Sequence, residues 1–173
     1  MISRRRLLHI AAPALLLPSA VASARPAPRT LRFDNLHTGE KFNGAYWVNG
    51  KYVPDALAEI RWVLRDFRNG EQHPIDSQLL DLLTLLRGRL GTTQPYEVIS
   101  GYRSPATNAM LRESSDGVAA HSLHMEGMAI DIRVPGRSLS HLRNAALSLS
   151  AGGVGYYPAS DFVHVDVGRV RHW

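Results

Sequence analysis

Seven residues near the end of the chain, FVHVDVG at 162–168, alternate valine with histidine and aspartate. Read as a strand, with a period of two, they put Val163, Val165 and Val167 on one face and His164 and Asp166 on the other. A chain built around this strand buries one side of a sheet and carries ionisable groups on the opposite side. The segment MAIDIRV at 128–134 obeys the same rule, with Ile130, Ile132 and Val134 opposite Ala129, Asp131 and Arg133. Side by side in one sheet, the two strands bring Asp131, His164 and Asp166 together, next to an alanine that leaves room. His124 precedes the first of them, and Gly127 allows a bend that folds it over the same patch.

The rest of the chain supplies helices and turns around these strands. YWVNGKYV places Asn-Gly between aromatic and β-branched residues, a strong hairpin signal, so two or three short strands are expected before residue 54. PDALAEIRWVLRDFRNG has apolar residues at 57, 60, 63, 64 and 67 between a proline and Asn-Gly, which predicts a helix through that stretch. DSQLLDLLTLLRGRLG predicts a second, richly apolar helix stopped by glycine. YEVISGYRS reads as a strand running into a turn, PATNAMLRES as a short third helix, and SLSHLRNAALSLS as a fourth. The last 22 residues, from GGVGYY onward, read as one or two strands. The expected class is α+β, a small antiparallel sheet with packed helices.

The first 24 residues stand apart from the fold. They have a basic start, an apolar run at 7–21 broken by Pro13 and Pro18, and the small-residue site Ala22-Ser23-Ala24, the layout of a cleaved export signal. SRRRLL, with Arg4 and Arg5 as the pair, resembles a signal for the twin-arginine export machinery. The expected location is the periplasm, with no stable membrane span in the mature form. Residues 25–30 then form a linker and 31–173 one domain. The whole chain has a net charge of +5, but residues 25–173 carry only +2, because the signal holds three arginines and no acid. No basic stripe interleaved with aromatics points to nucleic acid. There is no cysteine, which excludes a disulfide framework, thiol catalysis and thiolate metal sites. Any metal must be held by histidine and carboxylate.

Two imidazoles and one carboxylate suit zinc and leave a fourth position for water, whose acidity the ion raises. A nearby second carboxylate can take the water's proton. Spacing alone leaves plainer readings open: His124 as a surface loop histidine, Asp131 as an exposed strand residue, Arg103 as a cap on the turn before the third helix.

Three segments in order, SGYRSPATNAMLR, HSLHMEGMAIDI and GGVGYYPASDFVHVDVGRVRHW, resemble the peptidase M15 group of zinc peptidases. The branch they resemble is the exported murein endopeptidases of the DUF882 (YcbK-like) family, over residues 30–173. The resemblance implies the fold of the Hedgehog and D-Ala-D-Ala peptidases, with His124, Asp131 and His164 as zinc ligands and Arg103 as a substrate-binding arginine. It implies that Ser122, in the pattern SxHxxGxAxD, shapes the ligand loop. Relatives carry an acid three residues before the last zinc histidine, here Asp161, whereas strand facing favours Asp166 for proton transfer or support of a ligand. Tyr156 and Tyr157 read as cleft lining or turn packing, with Tyr156 taken as a substrate contact. His121 reads as a solvated loop histidine, and Arg169, Arg171 and Trp173 as a tail that pairs or docks. The implied activity is hydrolysis of peptidoglycan cross-links, with carboxypeptidase action on stem peptides or non-catalytic binding of the wall as the alternatives.

Overall fold

The computed structural model describes residues 26–114 and 117–173. The expected export signal lies outside the described residues. No helix among them is long and apolar enough to cross a membrane.

The N-terminal strands form where the hairpin signal stands. Strand β1 (Arg29–Asn35) pairs antiparallel with β2 (Lys41–Val48), which turns through Asn49 and Gly50 into the short β3 (Lys51–Tyr52). Asn49 and Gly50 both have positive φ, at 52° and 84°, as a two-residue hairpin loop with native twist requires. Strand β1 begins within the stretch read as linker. Helix α1 (Pro54–Val63) follows, then α2 (Ser77–Leu90), capped by the Asp76 carboxylate and closed by Gly91 in the left-handed region. Strand β4 (Tyr96–Ser100), α3 (Pro105–Ser114), β5 (Ala129–Arg133) and α4 (Leu139–Leu149) lead to three strands: β6 (Gly153–Tyr157), β7 (Phe162–Asp166) and β8 (Arg171–His172).

The α+β class is as expected, but the sheet is neither small nor wholly antiparallel. It has eight strands in the order β3-β2-β1-β4-β5-β7-β6-β8, with β1–β4 and β6–β8 parallel. Chain path explains the parallel pairs. The segment between β1 and β4 contains a hairpin and two helices, long enough for a crossover, and the tail returns beside β6 after β7. Helices α2 and α4 meet the apolar face, where Leu79, Leu80, Leu83, Leu86 and Leu142 join Ile130, Ile132, Val163 and Val165 in one core. Tyr96 fixes α2 to the sheet by donating its hydroxyl to the Leu83 carbonyl at 2.7 Å.

Helix α1 stops six residues before the Asn-Gly that its apolar pattern runs toward. Tertiary demand overrides the pattern. The carbonyl of Leu64 accepts from Tyr102 N at 2.8 Å, and the buried Asp66 carboxylate accepts from Arg68 N at 3.0 Å and Ser104 N at 2.9 Å. Asp66 therefore ties the end of α1 to the start of α3. Burial would raise its carboxyl pKa, but the hydrogen bonds from Thr107, Ser104 and Arg68 hold it below the usual carboxylate value. An Asp66→Ala variant is expected to lose about 3 kcal/mol of stability at neutral pH, since buried donors are left without an acceptor. A carboxyl depressed in the fold contributes stability above its unfolded pKa and loses it in acid. The gap between variant and wild type should thus shrink as pH falls below about 4. Urea unfolding across that range checks both; a pH-independent gap would remove the carboxylate from the explanation.

Candidate metal centre

The register of β5 and β7 sets the site. Asp131 lies directly opposite His164, and Ala129 opposite Asp166, on the sheet face away from the core. The bend expected at Gly127 is a 3-10 turn, Leu123–Glu126, capped by Ser122, whose hydroxyl accepts from His124 N at 3.4 Å. Gly127 has φ +65°, and a side chain there would strike the Pro74 carbonyl. The 71–76 loop presses on this turn, and Asp76 N donates to the Gly127 carbonyl at 3.0 Å. This packing holds His124 over the sheet, where it is buried.

The three side chains meet atom to atom. His124 Nε2 lies 3.2 Å from His164 Nδ1 and 3.3 Å from Asp131 Oδ1, and His164 Nδ1 lies 2.9 Å from Asp131 Oδ1. Four-coordinate zinc with bonds of about 2.0–2.1 Å wants donors roughly 3.3 Å apart, so the spacing fits a small divalent ion. The far nitrogens are locked as well. His124 Nδ1 faces the Gly101 carbonyl at 2.7 Å, and since a carbonyl only accepts, that nitrogen carries the proton and Nε2 offers its lone pair. His164 Nε2 donates to Asp166 Oδ2 at 3.0 Å, which directs Nδ1 at the ion position.

Electrostatics at these residues follows from burial opposed by partners. Burial alone would raise the Asp131 carboxyl; the imidazoles of His124 and His164 outweigh it and hold the group well below the carboxylate range. Burial alone would lower His164; the carboxylates on either side outweigh it and raise its pKa above the ordinary imidazole value. Asp166 is fully buried and saturated. It accepts from His164, from the backbone of Gly153 and Gly168 at 3.0 and 2.8 Å, and from both Arg171 guanidinium nitrogens at 3.1 and 2.8 Å.

The cleft over the triad has a volume of about 400 Å³. Arg103, Ser122, Tyr157 and Trp173 line it together with the triad. The Arg103 guanidinium sits 3.8 Å from Asp131 Oδ2 and 3.4 Å from the Asn108 side-chain oxygen, and its buried Nε has no partner among the described residues. Burial lowers its pKa against the opposing pull of Asp131.

Two of the expected site residues sit elsewhere. Strand β7 begins only at Phe162; Asp161 is in the left-handed conformation, exposed, and bound to Arg133 at 2.7 Å outside the cleft. Tyr156 pairs with Val163 and so shares the core side of the sheet, under the Arg143 guanidinium, while Tyr157 lines the cleft. Asp166 shares the ligand face but lies behind His164, with no free edge toward the ion position.

Sequence reasoning did not single out Asn108, Arg171 as the partner of Asp166, or the Gly101 carbonyl. One signal was available: GGVGYY alternates glycine with larger residues beside FVHVD. Gly153 and Gly155 fall on the ligand face, where a side chain at 153 would strike Asp166 and Arg171 and one at 155 would strike Trp173.

A family model described as peptidoglycan L,D-endopeptidase MepK matches residues 23–173. The chain is 45% identical to the peptidoglycan L,D-endopeptidase MepK of Escherichia coli strain K12, over 99% of this chain and 97% of that protein. It is 40% identical to the probable peptidoglycan L,D-endopeptidase MepK of Haemophilus influenzae, over 99% and 95% of the two chains.

Proposed function

We propose that this chain, which belongs to the peptidoglycan L,D-endopeptidase MepK family, is a zinc-dependent murein endopeptidase that hydrolyses peptide cross-links between L- and D-configured centres. The observation that carries the reading is the convergence of His124, Asp131 and His164 donors, with both far imidazole nitrogens locked, at the floor of an open cleft. An ion with three protein ligands keeps a position for water or a carbonyl oxygen, as hydrolysis requires and a closed structural site forbids. We read the fold as that of the M15 zinc peptidases and the location as the periplasm, reached through the signal at residues 1–24 and the twin-arginine machinery.

Zinc bound here supplies a Lewis acid that polarises the scissile carbonyl and acidifies water. The chain's own residues do the rest. Asp166 and the Gly101 carbonyl keep the two imidazoles turned toward the ion. Arg103, which lines the cleft beside Asp131, is placed to bind a carboxylate of the stem peptide in a planar, two-pronged contact. The charges of Asp131 and Asp166 cancel those of Arg103 and Arg171, so a divalent ion leaves the cleft positive, which favours an anionic peptide.

The test is digestion of purified cross-linked muropeptides by the zinc-loaded protein, with mass spectrometry of the products. Chelator-sensitive conversion of dimers to monomers is expected, with fragment masses that place the cut at an L,D bond. Loss of terminal residues from intact dimers would replace this reading with a carboxypeptidase. Unchanged dimers would replace it with a binding domain.

A further inference from the structure

We propose that His121 is a catalytic residue, the one that carries the proton during amide cleavage; this rests on the endopeptidase reading above. The need arises from where the acids are. Asp166 is sealed behind His164 and saturated, Asp161 is held by Arg133 outside the cleft, and Asp131 faces both imidazoles of the triad. Among the described residues lining the cleft, no other side-chain carboxylate remains.

The ionisable side chains that do line it divide cleanly. His124 and His164 are engaged at both ring nitrogens. Arg103 and Arg171 are donors only. The Tyr157 hydroxyl accepts from Trp173 Nε1 at 2.7 Å. His121 lines the same cleft, is exposed to it, and no hydrogen bond, ion pair or ring contact engages its imidazole among the described residues. Imidazole both takes and gives a proton near neutral pH, which suits a relay with two halves.

Its position is also built. Asn108, a buried residue of α3, donates to the Ala119 carbonyl at 3.1 Å and accepts from Arg103 with its side-chain oxygen. Ser122 caps the turn that carries His124. The segment bearing His121 is thus pinned on both sides, once to the arginine that is to hold the substrate and once to a metal ligand. In the step we assign, an imidazole nitrogen of His121 takes a proton from the attacking water as its oxygen bonds to the carbonyl carbon. The imidazolium then gives that proton to the amide nitrogen as the C–N bond breaks. One water is consumed, a carboxyl group and an amine are formed, and His121 returns to its starting state.

The experiment compares wild type with His121→Ala and His121→Gln, each zinc-loaded, on cross-linked muropeptide dimers. Both variants are expected to keep zinc stoichiometry and KM and to lose kcat by roughly 10²–10⁴-fold. Added imidazole should restore part of the loss in His121→Ala and none in wild type, an outcome that a structural role does not produce. In metal-free protein, the His121 side-chain NMR signals should move when the dimer is added. Unchanged kcat, loss without rescue, or NMR signals that ignore the dimer would overturn the assignment while leaving an active wild type and the endopeptidase reading intact. An inactive, zinc-loaded wild type would overturn that reading first, and this one with it.

Discussion

Replacing His164 by alanine is expected to abolish stoichiometric zinc binding and to lower the rate of cross-link hydrolysis by roughly 10³–10⁴-fold, the several kcal/mol of charge stabilisation that a bound ion supplies. The argument is geometric. The imidazole provides one of three converging donors and is the only one that touches both carboxylates of the site, Asp131 through Nδ1 and Asp166 through Nε2. Two donors on different segments do not hold a small divalent ion against water. The alanine variant also leaves two buried carboxylates without their shared partner, so part of any loss could come from folding. Asp131→Asn separates the effects: it keeps the volume and removes one anionic donor. Zinc per chain by elemental analysis, near-ultraviolet circular dichroism and muropeptide turnover should show both variants folded but metal-poor and inactive. A folded variant that keeps its zinc and its turnover would sink the assignment of these ligands.

How much of this site the sequence displays depends on the kind of geometry involved. The pleat enforces a period of two, so the facing of Asp131, His164 and Asp166 could be read from FVHVDVG and MAIDIRV alone. Their cross-strand register follows from burial of the valine and isoleucine faces. Periodicity failed wherever the backbone leaves the strand or helix. Asp161 could not be placed by alternation because it is in the left-handed conformation and the strand begins only after it, at Phe162. Helix α1 could not be bounded, because the groups that end it come from Tyr102 and Ser104, roughly forty residues later in the chain. The parallel pairing of β1 with β4 leaves no local mark. Asp166 shows the limit most clearly. Its face was legible, but which edge of the His164 ring it addresses was not. Being two residues along the same strand, it meets Nε2, while the cross-strand Asp131 meets Nδ1.

That distinction gives Asp166→Asn two opposite expected outcomes. If Asp166 moved the proton, the amide would spare zinc and abolish turnover. The structure places it behind the ligand, with five hydrogen bonds and no exposure. The variant is therefore expected to bind zinc about 10–100-fold more weakly, the usual effect of losing the acceptor behind a metal-bound imidazole. At saturating zinc it should turn over nearly as wild type does. The dependence on pH supplies an independent sign. In the metal-free protein the two carboxylates raise the pKa of His164, and a proton on Nδ1 must leave before the ion binds, so wild-type affinity falls as pH falls. Removing one carboxylate lets that pKa drop and relieves the competition. The affinity gap between variant and wild type should then be widest in mild base and narrow toward acid. Calorimetric zinc titrations at several pH values, run in buffers of different ionisation enthalpy, should also show fewer protons released by the variant near neutral pH. Tight zinc with no turnover at any metal concentration would instead make Asp166 the proton carrier and displace His121 from that role.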